Sequence, residues 1–202
     1  MPGARTHDII TVVTGMALVP ISYAAQAHIG ALPDAALRGS AILIGAHLLS
    51  GIMFSPDLDL DSAIDDRWGI FFWIWRPYMW AVPHRNRLLS HGLVIPPLLR
   101  IVYFCGVVTL VFLGVAWLLA RVGIIVPDYP EQAFNALLDL ARAQPREVLL
   151  FLIGFITGGA THTLTDWTVS GGKHMLHRLG VHHAHDFARH DDWQRAHQGH
   201  WQ

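Results

Sequence analysis

The chain has little cysteine and little charge. Its one cysteine, Cys105, excludes an intramolecular disulfide framework and a cysteine-rich zinc site; inside an apolar run it reads as a small buried hydrophobe. Charged residues are 14% of the 202, against about 25% in an average soluble domain. The formal net charge of −1 lacks the basic footprint of a nucleic-acid partner, so none is expected. Hydrocarbon takes the place of charge: 52% of the residues are hydrophobic and the mean hydropathy is +0.37.

The apolar residues fall in blocks, residues 9–29, 41–54, 93–119 and 148–169. A bilayer-spanning helix needs about 20 mostly apolar residues, which the first, third and fourth blocks provide; the second needs a first turn from 35–40. The expected fold is all-α, a polytopic membrane helical bundle of about four transmembrane helices with an interfacial aromatic segment, and the lipid bilayer is its first partner. Domain 1–170 carries the bundle and 171–202 is a His-rich tail. Alternating the spans places more Lys and Arg on the side that holds Arg5, Arg67, Arg76, Arg85 and Arg87. By the positive-inside rule that side faces the cytoplasm of a bacterial inner membrane. A cleavable signal peptide is the alternative for the N-terminus, since Arg5, the first block and Ala24-Ala25-Gln26-Ala27 imitate its three regions.

Residues 68–80 crowd Trp, Phe and Tyr around Arg76-Pro77 in stretches too short to span. Such residues favour the headgroup level, so the segment reads as interfacial, either a simple aromatic belt or a wall that admits amphiphiles. Residues 131–142 carry Phe134, Leu137, Leu138 and Ala141 at helical spacing, as an amphipathic surface helix does. Gly154, Gly158 and Gly159 offer a face for close helix packing. His28 and His47 read as packing or helix-to-helix hydrogen bonding.

The metal-type side chains gather at the cytoplasmic ends of the blocks. His7 and Asp8 precede the first. After the second, Pro56 ends the helix, and in an extended chain Asp57, Asp59 and Asp61 point the same way, either toward one cation or into solvent as an acidic turn. His84 and His91 flank Arg85 and Arg87 just before the third block, seven residues and thus about two helical turns apart. In the fourth, His162 and Asp166 stand at i and i+4, where imidazole and carboxylate reach one ion. Ionisable groups within a span are costly and mark function by default. Further imidazoles in the tail, His174, His177 and His185 among them, join the site or gather metal loosely.

Thr6-His7-Asp8, Pro56-Asp57-Leu58-Asp59, the run from His84 to Gly92 and His162-xxx-Asp166 resemble a family of small bacterial metal-binding proteins common in cyanobacteria, over roughly residues 3–168. More distantly they resemble inner-membrane metal-dependent hydrolases of the DNA-damage regulon, and the HxxxD element is similar to that of zinc-dependent phospholipase C and single-strand nucleases. The chain departs from these hydrolases in its few spans and in Asn86-Arg87. Together, residues and resemblance imply a divalent metal, zinc by ligand type, as one ion or an adjacent pair held by His7, Asp57, Asp59, His84, His91, His162 and Asp166. The implied activity is hydrolysis of a phosphoester on a lipid or other amphiphilic substrate, with Asp59, Arg85 and Arg87 as catalytic groups and the arginines clamping phosphate. The alternatives are a non-catalytic metal-binding or accessory membrane protein and a metal-free lipid phosphatase using a phosphohistidine.

Overall fold

The computed structural model describes residues 4–55, 65–82, 92–124 and 129–178, all in helices or their connections, with no strand among them. In order, the helices are α1 (Ala4–His28), α2 (Pro33–Met53), α3 (Asp65–Trp68), a 3-10 helix (Gly69–Trp75), α4 (Arg76–Ala81), α5 (Ile95–Arg121), α6 (Tyr129–Ala143) and α7 (Pro145–Arg178). Four of them, α1, α2, α5 and α7, are long and apolar enough to cross a membrane. By compactness the chain divides into a unit Pro2–Thr165 and a second that takes up at Asp166, within α7. As far as it is described, the second is the continuation of α7 to Arg178.

Helix ends follow local chemistry. Gly30, at φ +85, closes α1: its amide donates to Ala27 O and that of Ala31 to Gln26 O, a Schellman cap that only glycine enters without strain. Pro33 then opens α2 at a first-turn position, where its missing N–H costs nothing. Gly123 repeats the cap at the end of α5. The second apolar block thus gains the residues from Pro33 onward that it needs to span.

At the other end of α2, three side chains satisfy carbonyls that the helix leaves open. Arg67 donates to Ile52 O at 2.6 Å, Trp68 Nε1 to Met53 O at 2.9 Å and Arg100 to Phe54 O at 3.3 Å. Cationic groups at a helix C-terminus also oppose its dipole. Arg67 pairs in addition with Asp8 at 2.5 Å, which ties the start of α1 to α3.

The aromatic segment differs from a simple belt. Phe72, Ile74 and Trp75 of the 3-10 helix and Tyr78 of α4 are buried, while Ile70, Phe71, Trp73 and Trp80 stay exposed. The buried rings surround Phe54, whose ring meets Trp68, Trp75, Phe104 and Phe155 at 5.4–5.7 Å, all edge-on. Such pairs contribute about 0.5–1.5 kcal/mol each beyond area burial, so half of the segment serves as core. Cys105, expected to be buried, is exposed on α5.

Glycine sets the distance between α2 and α7. A Cβ on Gly154 would stand 2.1 Å from Leu43 O, and one on Gly158 would stand 2.2 Å from His47 O. No side chain fits, and the four-residue spacing is that of a small-xxx-small face. Gly158→Ala is therefore expected to lower stability by about 1–3 kcal/mol, read by denaturant titration in detergent. Gly45→Ala, where a Cβ meets open space, should leave it unchanged; equal effects would contradict the close-packing account.

Candidate metal centre

The first turn of α1 carries His7, and α7 carries His162 with Asp166 one turn further on. Because α7 runs unbroken from Pro145 to Arg178, its helical repeat fixes Asp166 on the face of His162. The rings of His7 and His162 are stacked, with centroids 3.7 Å apart and planes 9° from parallel. His7, His162 and Asp166 are all buried, at 4%, 2% and 4% exposure. Each offers a ligand atom, and the three atoms lie within 4.8 Å of one another.

The donor set fits a divalent cation of the borderline kind: two imidazole nitrogens and a carboxylate oxygen suit zinc and its neighbours in the first transition row. Ligand atoms bound to a tetrahedral ion at about 2.0–2.2 Å stand about 3.4 Å apart, so the observed group is slightly open. Asp8, beside His7 in sequence, faces elsewhere and is committed to Arg67.

The remaining sequence-derived ligands, Asp57, Asp59, His84 and His91, lie outside the described residues, as do Arg85 and Arg87 and the tail beyond Arg178. His174 and His177 fall on the last turns of α7.

Two further buried polar groups brace the helices, and the second, His47, makes the helix-to-helix hydrogen bonds expected of it. Arg100 is wholly buried on α5 and donates to the α2 terminus. His47 on α2 is also wholly buried and joins three helices. Its Nε2 lies 3.1 Å from Thr11 O and from Thr14 Oγ1, and its Nδ1 lies 3.1 Å from Thr157 Oγ1. A carbonyl only accepts, so Nε2 carries the proton, and the Thr157 hydroxyl beside Nδ1 has its one proton to share between that nitrogen and Gly154 O at 2.9 Å. Thr11 is one turn from His7, and Thr157 is five residues before His162, so this node holds α1 and α7 at the spacing the stacked imidazoles need. The far end of the unit has its own node, where Gln26 donates to Ser22 and Ser40 and accepts from Arg146.

Replacing His47 with Leu is expected to lower the unfolding free energy by about 1–3 kcal/mol, because the carbonyl and hydroxyls lose their partner, while His47→Gln keeps part of it. Circular dichroism during denaturation in bicelles reads both; a Leu variant as stable as the parent would contradict the role of His47 as a cross-brace.

Comparison with curated proteins and with solved structures yields no match, and no hydrolase is named by the comparisons. A family model does match, that of the "Uncharacterized metal-binding protein (DUF2227)" family, over residues 2–176. That stretch contains the stacked imidazoles, the carboxylate beside them and the other predicted ligands, and the chain belongs to this metal-binding family.

Proposed function

We propose that the protein is a membrane-embedded divalent-metal hydrolase acting on a phosphoester of a lipid or other amphiphile. The observation that carries the metal assignment is the buried His7, His162 and Asp166 group, in a chain of a metal-binding family. Asp57, Asp59, His84 and His91 are the further ligands that this reading assigns from the sequence. Zinc is the ion that best fits imidazole and carboxylate together.

Membrane insertion is supported by an inverted distribution of polarity. Thr11, Ser22, Gln26, Ser40, His47, Ser50, Arg100 and His162 are buried, whereas Val13, Met16, Ile21, Val102, Leu110 and Trp117 are exposed. Exposed apolar surface of this extent on long helices has a natural solvent in lipid. At the α2 terminus the carbonyls of Ile52, Met53 and Phe54 each accept from a side chain, as a medium without water demands. The excess of Lys and Arg on one side of the alternated spans supports a centre facing the cytoplasm of a bacterial inner membrane.

A bound divalent cation supplies Lewis acidity and lowers the pKa of a coordinated water. Of this chain's own groups, His7, His162 and Asp166 hold and orient; Arg85 and Arg87 bind the phosphate bidentately; and Asp59 is the catalytic carboxylate. The burial of the three described ligands favours a second reading, a closed structural site that fastens helix ends. A catalytic ion keeps an open coordination position and a structural one does not.

Elemental analysis of the full chain in detergent is the test. A fixed amount of metal per chain is expected, with affinity reduced by more than about 10-fold in His162→Ala and in Asp166→Ala. Unchanged metal content in both variants would remove the assignment. Phosphoesterase activity on a lipid should vanish with EDTA and return with zinc. Activity that survives chelation would favour the phosphohistidine alternative, and bound metal without activity would favour the structural reading.

A further inference from the structure

Beside the α2 terminus lies a cavity of about 350 Å³, lined from α2, α3, α5 and α7. Its back wall is the cluster of Phe54, Trp68, Phe104 and Phe155, whose rings stand against one another. The wall is wholly apolar, because its one ring nitrogen, that of Trp68, is spent on Met53 O. Of the lining residues, Leu49 and Cys105 are exposed and so mark the mouth.

An apolar cavity stays dry: one of about 150 Å³ lined by Leu, Ile and Phe takes up benzene rather than water. The larger cavity here falls in the range of about 300–1,000 Å³ typical of ligand sites, with room for more hydrocarbon than a single ring. The mouth decides where that hydrocarbon comes from. On α2, Gly45 stands one turn before Leu49 with open space beside it, and so does Gly106 next to Cys105 on α5. Val102 and Val108, to either side of Cys105 on α5, are exposed. The mouth therefore opens within apolar outer surface whose natural solvent is lipid. On α7, Phe155 and His162 are both buried and stand two turns apart on one side of the helix, about 10 Å along its axis. The cavity thus lies deeper in the span than the cation centre, on the same side of α7.

We propose that this cavity seats one acyl chain of a bilayer phospholipid, which enters sideways between Leu49 and Cys105. This rests on the membrane placement and the lipid substrate of the reading above, and it names the part of the substrate that the protein holds. An acyl chain seated against Phe155, with its headgroup at the membrane surface, runs along the side of α7 that carries His162. The cavity is then a positioning site for the phosphoester and takes no part in the chemistry. An apolar wall recognises hydrocarbon by shape and burial alone, so the headgroup is left to the centre.

The test uses the full-length protein in vesicles of phosphatidylethanolamine and phosphatidylglycerol, with a trace of phosphatidylglycerol carrying a diazirine at the middle of one acyl chain. After illumination, adducts are located by mass spectrometry. Lipid that merely surrounds the helices reaches exposed side chains such as Leu110, whereas Phe54 and Phe155 are buried and are reached only through the cavity. Adducts at Phe54 or Phe155 are expected beside those at Leu110. They should be lost in Cys105→Phe, which fills the mouth, while Leu110 labelling is retained. Leu49→Phe fills the mouth from α2 and keeps the test decisive if Cys105→Phe disturbs folding. Adducts confined to exposed positions in the parent overturn the proposal, as does core labelling that survives both substitutions. Cross-links that join two copies through the mouth also overturn it, since a second copy then covers the cavity. Failure of the underlying reading has different signatures. A protein that alkaline carbonate washes from the vesicles, with no adduct anywhere, refutes the membrane placement and the proposal together. Core adducts without phosphoesterase activity support the cavity and remove the hydrolase.

Discussion

The approach of α2 to α7 is the constraint on which the rest depends. Gly154 and Gly158 let the α7 backbone rest against Leu43 and His47 carbonyls, a distance that any side chain would widen. At that distance His47 reaches Thr157 on one side and Thr11 and Thr14 on the other. With α1 held to α2 and α7 through one imidazole, His7 comes to lie flat on His162. Backbone contact, interhelical hydrogen bonds and ring stacking thus form one chain of consequence, and helix packing by small residues with polar side chains between them is what lipid-embedded helices favour.

A second device holds the open end of α2. Arg67, Trp68 and Arg100 each give a donor to one of its last carbonyls, and Arg67 also takes the charge of Asp8. The consequence for the centre is selective: of two adjacent metal-type residues, Asp8 is committed to an ion pair and His7 is left to face His162. The aromatic segment seals the same region, with Trp75 and Tyr78 packed around Phe54.

Much of this was legible from the chain alone. Four long apolar blocks gave the four long helices, since length and hydropathy are local properties. The i, i+4 relation of His162 and Asp166 follows from helical repeat, and the partnership with His7 followed from alternating the spans, which brings the start of the first block to the end of the fourth. The role of Arg100 was not legible: it depends on which neighbour lies opposite, and sequence periodicity does not encode that. The aromatic segment was half read: its composition suggested an interface, but Phe72, Trp75 and Tyr78 are turned inward. Cys105 was misread because an apolar run in a bundle of this kind exposes much of its own surface, and α5 does so along most of its length.

X-ray absorption at the zinc edge on the loaded full-length chain tests the central claim most directly. Two or more imidazoles with an oxygen ligand, at the short distances of a low-coordinate ion, are predicted. A spectrum with oxygen ligands only, or one unchanged when His7 and His162 are both replaced, would contradict a centre built on the stacked pair.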